Sequence, residues 1–329
     1  MHANFNVLSI DDPSGIEAHL RALAWIDGDE RVVSISRAGE GNMNMVARVR
    51  TDRRSLILKQ SRPWVEKYPS IQAPQDRILV EAAFYHTVSH ASALAAGMPR
   101  FLALDSESRS ALIEDLGGSS DCTDIYDGAV LDLSGLVAWL SALHRVQPEE
   151  ADREVLRNRE MRHLNHAHIF DLPMSGAHGM DLDEITPGLA SAAREYSADT
   201  ELAREVQRLG DAYLEDGPTL LHGDYYPGSW LRTAGGIRVI DPEFGFLGPA
   251  EFDLGVFKAH LELAGLAEPL IGEAVSQYSG QADSALVDQF AGVEIMRRLI
   301  GVAQLPLKRT IRQKVDLLKR SKELLLGGG

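Results

Sequence analysis

Cysteine is almost absent: one residue in 329, Cys122, which excludes an internal disulfide and a cysteine-rich zinc site. With no histidine paired to it in a recognisable motif, small packing is its expected role. No apolar run approaches the roughly 18 residues needed to cross a bilayer. The N-terminal MHANFNVLSIDDP has neither a basic leader nor an apolar h-region, so cytoplasm is the expected compartment. Positive charge is scarce, with 33 Lys and Arg against 48 Asp and Glu and a formal net charge of −15. That excess of acid excludes general binding to nucleic acid or to an anionic membrane surface, although a few local cations can still hold a phosphate. Internal repeats and low-complexity segments are also lacking.

What is present fits a globular chain, 44% hydrophobic and 25% charged, and long enough for two lobes. Residues 14–25 place Ile16, Leu20, Leu23 and Ala24 on one helical face behind an Asp12 or Ser14 cap. Strand-like runs follow at 32–35, 43–49 and 56–58, the last ending at Lys59. Between the first two lies Gly39-Glu40-Gly41-Asn42, a turn whose glycines let backbone N–H groups approach phosphate oxygens. Residues 61–75, rich in proline, read as a long irregular loop that can serve as a lid.

The next helix, 76–89, carries Glu81 within reach of Lys59. A hairpin over 101–104 and 110–114 ends in Glu114-Asp115-Leu116-Gly117, and the run of strands stops there. The lobe boundary is therefore expected at 116, with 1–116 as a strand-rich lobe and 117–329 as a helical one. Helical periodicity marks 131–144, 150–168, 189–213, 251–264, 286–305 and 307–325. His163, His166 and His168 lack metal-ligand spacing and read as surface polar residues. Residues 171–186 read as irregular.

Chemistry concentrates in 220–253, LLHGDYYPGSWLRTAGGIRVIDPEFGFLGPAEFD. A loop of the form H-x-D-x-x-x-x-N, followed by a strand and an Asp, is how kinase-type enzymes place a base beside the attacking hydroxyl and oxygen ligands on magnesium. Asp224 takes the place of the base and Asp241 that of the metal ligand, with Ser229 where that pattern has Asn. His222 is expected to hold the loop by hydrogen bonds. Asp241 and Glu243, alternating along an extended segment, are expected to face one way, and two such carboxylates repel unless a cation lies between them. Lys59, Asp224 and Asp241 thus supply a cation for phosphates, a base and a metal ligand. Arg297 and Arg298 point about 100° apart on their helix, so they cannot both lie on the solvent face of a packed helix. Either at least one turns into a pocket to meet an anion or sugar hydroxyls, or both snorkel at the helix edge.

GEGNMN at 39–44, LILKQSRPWV at 56–65, NREM at 158–161, IFDLP at 169–173, HGDYYPGS at 222–229, DPEFGFLGPAEFD at 241–253 and RRLIGVA at 297–303 span most of the chain. On these pieces it resembles the aminoglycoside phosphotransferase and choline kinase superfamily, in particular its methylthioribose kinase-like branch, whose loop also ends in Ser. The resemblance implies an α+β, two-lobed protein-kinase-like fold, with a small antiparallel sheet in the N-lobe and a mainly helical C-lobe. It implies an ATP-dependent kinase that transfers the γ-phosphate to a sugar hydroxyl, 5-methylthioribose or a related pentose, with magnesium as cofactor. The alternatives are an aminoglycoside, choline or homoserine phosphotransferase of the same fold, or an inactive kinase-like binding protein.

By the same resemblance Asp224 is the catalytic base, and Asp241, Glu243 and Ser229 bind magnesium. Lys59 contacts the ATP phosphates with Glu81 orienting it, and Gly39, Gly41 and Asn42 form the phosphate-side turn. Asp115 and Leu116 lie at the adenine hinge, while Arg297 and Arg298 act on the substrate. The expected partner is a small molecule, and a homodimer is compatible with this reading.

Overall fold

The first strands alternate, and the alternation decides which side chains reach the site. A computed structural model describes residues 6–39, 43–305 and 307–327, so Gly41 and Asn42 of the expected phosphate turn lie outside the described residues. Strands β1 (Val32–Arg37), β2 (Met45–Thr51), β3 (Ser55–Gln60), β6 (Phe101–Asp105) and β7 (Ser110–Glu114) form one antiparallel sheet, ordered β1-β2-β3-β7-β6. Successive strand residues face opposite sides. Ala47, Val49, Leu56, Leu58 and Leu112 pack with Ile16 and Leu20 of helix α1 (Pro13–Ala22) in a small core. The opposite face carries Val46, Arg48, Ile57, Lys59 and Ile113, which line a cavity.

Residues 61–75 are not irregular. Strands β4 (Trp64–Val65) and β5 (Tyr68–Gln72) pair as a hairpin whose Lys67, Tyr68 and Ile71 reach the same cavity. Three prolines in a short stretch hid a two-stranded ribbon too brief to display an alternating pattern. Helix α2 (Arg77–Ser89) follows, and its Val80, Ala83, Phe84 and Val88 join the large core of the helical region.

Beyond residue 116 the chain is mainly helical, with the Leu133–Leu143, Thr200–Leu214, Ala250–Ala264, Ser284–Ile300 and Ile311–Leu326 helices as its longest members. The expected helix over 189–213 divides at Asp199, whose carboxylate caps Thr200–Leu214 by accepting from the Glu201 and Leu202 amides. Within 171–186 stand two single-turn helices, Leu172–Ser175 and Leu182–Ile185. A helix at Glu268–Ser276 was not foreseen, since it is short and half-buried. Among the described residues no helix is long and apolar enough to cross a membrane.

The small sheet domain also depends on a buried carboxylate. Glu30, fully buried, accepts from Arg54 Nε at 3.0 Å, Thr51 Oγ1 at 2.7 Å and the Asp27 amide at 3.2 Å. The Arg54 bond, led by its hydrogen bond and aided by Thr51, holds the Glu30 carboxyl down at about 2 against the opposing effect of burial. A depressed carboxyl stabilises the fold above its unfolded value, and that stability is lost as pH falls through the folded value. E30Q should therefore lower stability by about 1–2 kcal/mol at pH 7, Arg54 being part-exposed. Urea unfolding at pH 7 and pH 2.5 checks this, the wild-type advantage shrinking at the lower pH.

Candidate active site

The cavity between the sheet face and the helical region encloses about 1030 Å³. Lys59 reaches it from β3, where the alternation places it beside Val46 across the β2–β3 register. It is 2% exposed. Its ammonium donates to Glu81 Oε1 at 2.9 Å and Oε2 at 2.8 Å, and to Asp241 Oδ1 at 2.7 Å. Burial lowers its proton affinity, but Asp241, Glu81 and Glu243 outweigh burial and hold it well above the ordinary value. Burial pushes Glu81 up while Lys59 pulls it the other way.

Asp241 and Glu243 do not lie on an extended segment. Asp241 has a left-handed backbone (φ 60°, ψ 52°), and Pro242–Phe244 forms one turn of 3₁₀ helix. Asp is among the few side chains that tolerate this region, because its short carboxylate bonds locally. The two carboxylates are instead separated by cations from neighbouring elements. Glu243 Oε2 accepts from Asn44 Nδ2 at 2.8 Å and lies 3.3 Å from Arg77 Nε. Arg77 also donates to Asn44 Oδ1 at 2.8 Å, so this triad is closed on itself. The cluster holds three carboxylates and two cations. Lys59, Glu81, Asp241 and Glu243 all line the cavity, and Asp241, with half its side chain exposed, is the most open of them.

The loop bearing Asp224 is pinned from below. Asp253, buried in the Ala250–Ala264 helix, accepts from the amides of His222 at 2.7 Å and Gly223 at 3.0 Å. His222 bonds the Ile240 carbonyl through Nε2 at 2.9 Å, and burial lowers its proton affinity. Gly223 has φ 81°, and a Cβ there would overlap the Phe244 carbonyl. Ser229 Oγ donates to the Asp224 carbonyl at 3.0 Å, committing its proton to the loop and leaving lone pairs to meet a cation.

Both arginines reach the cavity. Arg298 Nη2 donates to Asp224 Oδ1 at 3.1 Å, and Arg297 Nη1 lies 3.7 Å from the same oxygen. Arg298 also stacks over Tyr226, 4.6 Å from its ring centre. Both are bonded to the buried Glu294.

The remaining candidates divide. Gly39, Asp115 and Leu116 line the cavity. The Asp115 carboxylate, however, is bonded to Arg48 at 2.8 Å and Ser55 at 2.5 Å, bonds that outweigh burial and hold it below its ordinary range. His163 is exposed and bonds the Arg159 carbonyl, whereas His168 lines the cavity. Burial pushes the Cys122 thiol up to about 11, which leaves it unreactive. Arg77, Asn44, Asp253, Glu294 and Tyr226 were not anticipated. Glu294 alone left a local signal, standing three and four residues before the arginine pair on one helix.

The sequence model of the phosphotransferase enzyme family matches residues 34–282. The methylthioribose kinase of Exiguobacterium sibiricum is 28% identical over 272 residues, covering 74% of this chain and 64% of its own length. That of Bacillus cereus is 26% identical over 337 residues, covering 87% of this chain and 84% of its own. The chain thus spans less than two thirds of the first of these relatives. Among solved structures, LicA, a choline kinase from Streptococcus pneumoniae crystallised with AMP, superposes over 96% of this chain and 98% of its own with a TM-score of 0.55 at 14% identity. That likeness shows the fold, a small antiparallel sheet region joined to a mainly helical one.

Removing Lys59 leaves buried carboxylates without their shared cation. K59A should cost about 3–5 kcal/mol of stability, and K59M/E81L should recover a large part of that loss. Urea unfolding of both variants measures the difference.

Proposed function

Because the chain belongs to the phosphotransferase enzyme family, we propose that it is an ATP-dependent kinase that phosphorylates a hydroxyl of a small neutral sugar, with 5-methylthioribose or a related pentose as the first candidate. The observation that carries the reading is the opening of Lys59, Asp241, Asp224 and the arginine pair on one cavity. In this reading residues 1–116 hold the nucleotide and 117–329 the acceptor. Lys59, fixed by Glu81, neutralises phosphate oxygens. Gly39 borders the phosphates, and the backbone around Asp115 and Leu116 meets the base, since the Asp115 side chain is already engaged with Arg48 and Ser55.

The donor set suits magnesium: Asp241 opens on the cavity, Ser229 keeps lone pairs, and carboxylates outnumber cations by one before any phosphate enters. Among the described residues no three His, Cys, Asp or Glu cluster as a ready-made metal centre. Magnesium is commonly held by one or two carboxylates completed by phosphate oxygens and water, which matches Asp241 and Ser229 with Glu243 supplying charge behind them. When bound, it would screen the charge on the phosphates. Asp224 accepts the acceptor hydroxyl's proton as the new oxygen–phosphorus bond forms and the bond to ADP breaks, and a carboxylate suffices because proton transfer is late in such a loose transition state.

The acceptor end favours a neutral substrate. Arg297 and Arg298 are balanced by Glu294 and Asp224, so neither an ammonium nor an anionic group finds uncompensated charge there. The relatives named methylthioribose kinase support a sugar, and their low identity leaves the particular sugar to experiment.

Coupled ADP release over a panel of 5-methylthioribose, ribose, choline, homoserine and aminoglycosides should give turnover with a sugar. Turnover confined to choline or aminoglycosides would exclude the sugar reading. D224A should lower kcat by about a thousandfold while calorimetry shows ATP binding retained, and unchanged turnover would remove Asp224 from the role of base.

A further inference from the structure

Beneath the two arginines, outside the cavity lining, lies a carboxylate that holds them both. Glu294 is 1% exposed on the Ser284–Ile300 helix, one turn before the pair. Arg298 Nε donates to its Oε1 at 2.5 Å and Arg297 Nη1 to its Oε2 at 3.1 Å. His260, fully buried on the Ala250–Ala264 helix, brings Nε2 to within 3.1 Å of the same Oε1. Its other ring nitrogen lies 2.5 Å from the Tyr126 hydroxyl.

The bond directions follow from donor chemistry. Burial pulls His260 down to about 4, so at neutral pH its ring has one proton to place. Glu294, held ionised by the two arginines against the effect of burial, can only accept. The imidazole proton therefore lies on Nε2, and Nδ1 accepts from Tyr126. Tyr126 thus donates to His260, His260 to Glu294, both arginines to Glu294, and Arg298 onward to Asp224.

We propose that Glu294, oriented by His260 and Tyr126, is a positioning residue that fixes both guanidinium groups at the acceptor end and keeps Arg298 in register with Asp224. The inference rests on the phosphotransfer reading above. Two like charges on adjacent residues repel, and long arginine side chains have many rotamers to explore. A carboxylate between them removes the repulsion and selects one rotamer of each. Without it both would crowd Asp224 Oδ1, now 3.1 Å from one and 3.7 Å from the other, and obstruct the face that must receive a hydroxyl.

E294Q keeps the shape of the side chain and removes its charge, turning an amide N–H₂ toward one arginine, while E294D keeps the charge with a shorter reach. In E294Q kcat should fall at least about tenfold with the KM for ATP within about twofold of wild type, and E294D should recover part of kcat. Y126F, a milder change at the far end of the chain of bonds, should lower kcat about two- to fivefold with the same KM pattern. Wild-type kcat in both E294Q and Y126F would overturn the proposal, as would a parallel drift of kcat and the ATP KM with a lowered Tm. Should E294Q fail to fold, Y126F decides by the same split. Should the wild-type protein phosphorylate no alcohol, the phosphotransfer reading fails separately. Crystals of E294Q, or of Y126F in its place, then decide the positioning role: closer approach of Arg297 to Asp224 Oδ1, with Arg298 displaced from its present rotamer, supports it, and unmoved arginines overturn it.

Discussion

A single buried ammonium organises the molecule. Lys59 belongs to the sheet, Glu81 to α2 and Asp241 to the turn after the Gly236–Val239 strand, and the three meet within 2.9 Å. Taking a lysine and a glutamate out of water costs several kcal/mol each, and the cost is met only if the geometry is close and every lone pair is used. The sheet, α2 and the Asp241 turn must therefore hold one relative arrangement. Arg77 repeats the device a turn earlier on α2, binding Asn44 from the sheet side and Glu243 from the helical side. Ion pairs join the two regions at the cavity, while Val80, Ala83, Phe84 and Val88 of α2 pack into the core of the helical region behind them.

The opposite end of the cavity is built on the same rule with the balance changed. Asp253 holds the loop amides, Ser229 holds its carbonyl, and Glu294 holds the arginines that face Asp224. The loop and the arginines that border this end are thus each braced by a buried carboxylate outside the cavity lining, Asp253 and Glu294. Such support is what keeps a site rigid enough for transfer between two bound molecules.

The order of elements and the main candidates were legible because each left a local mark. Alternation along 45–60 located the strands, the spacing in 131–144 a helix, and His222-Gly223-Asp224 with Asp241-Pro242-Glu243 two segments whose carboxylates line one cavity. What stayed hidden depended on partners far along the chain. Asn44 and Glu243 are 199 residues apart, and nothing near Asn44 signals a carboxylate. The extended reading of residues 241–243 failed because a proline-containing turn can mimic alternation, and only the left-handed backbone of Asp241 distinguishes them. The 64–72 hairpin was missed because prolines in a short ribbon resemble a loop.

The net charge of −15 appears at first to oppose binding of a polyphosphate. At physiological salt the Debye length is about 8 Å, so acids spread over the exterior are largely screened from the cavity while buried charges are not. What a phosphate meets is the local set: Lys59 and Arg77 among three carboxylates, of which only Asp241 is substantially open. A bare polyphosphate would be repelled by that set, and one accompanied by a divalent cation would not. At the other end the arginine pair is balanced by Glu294 and Asp224, leaving no uncompensated charge. Under the proposed function, the local charges rather than the net charge of −15 thus favour a metal-bound phosphate at one end of the cavity and a neutral molecule at the other.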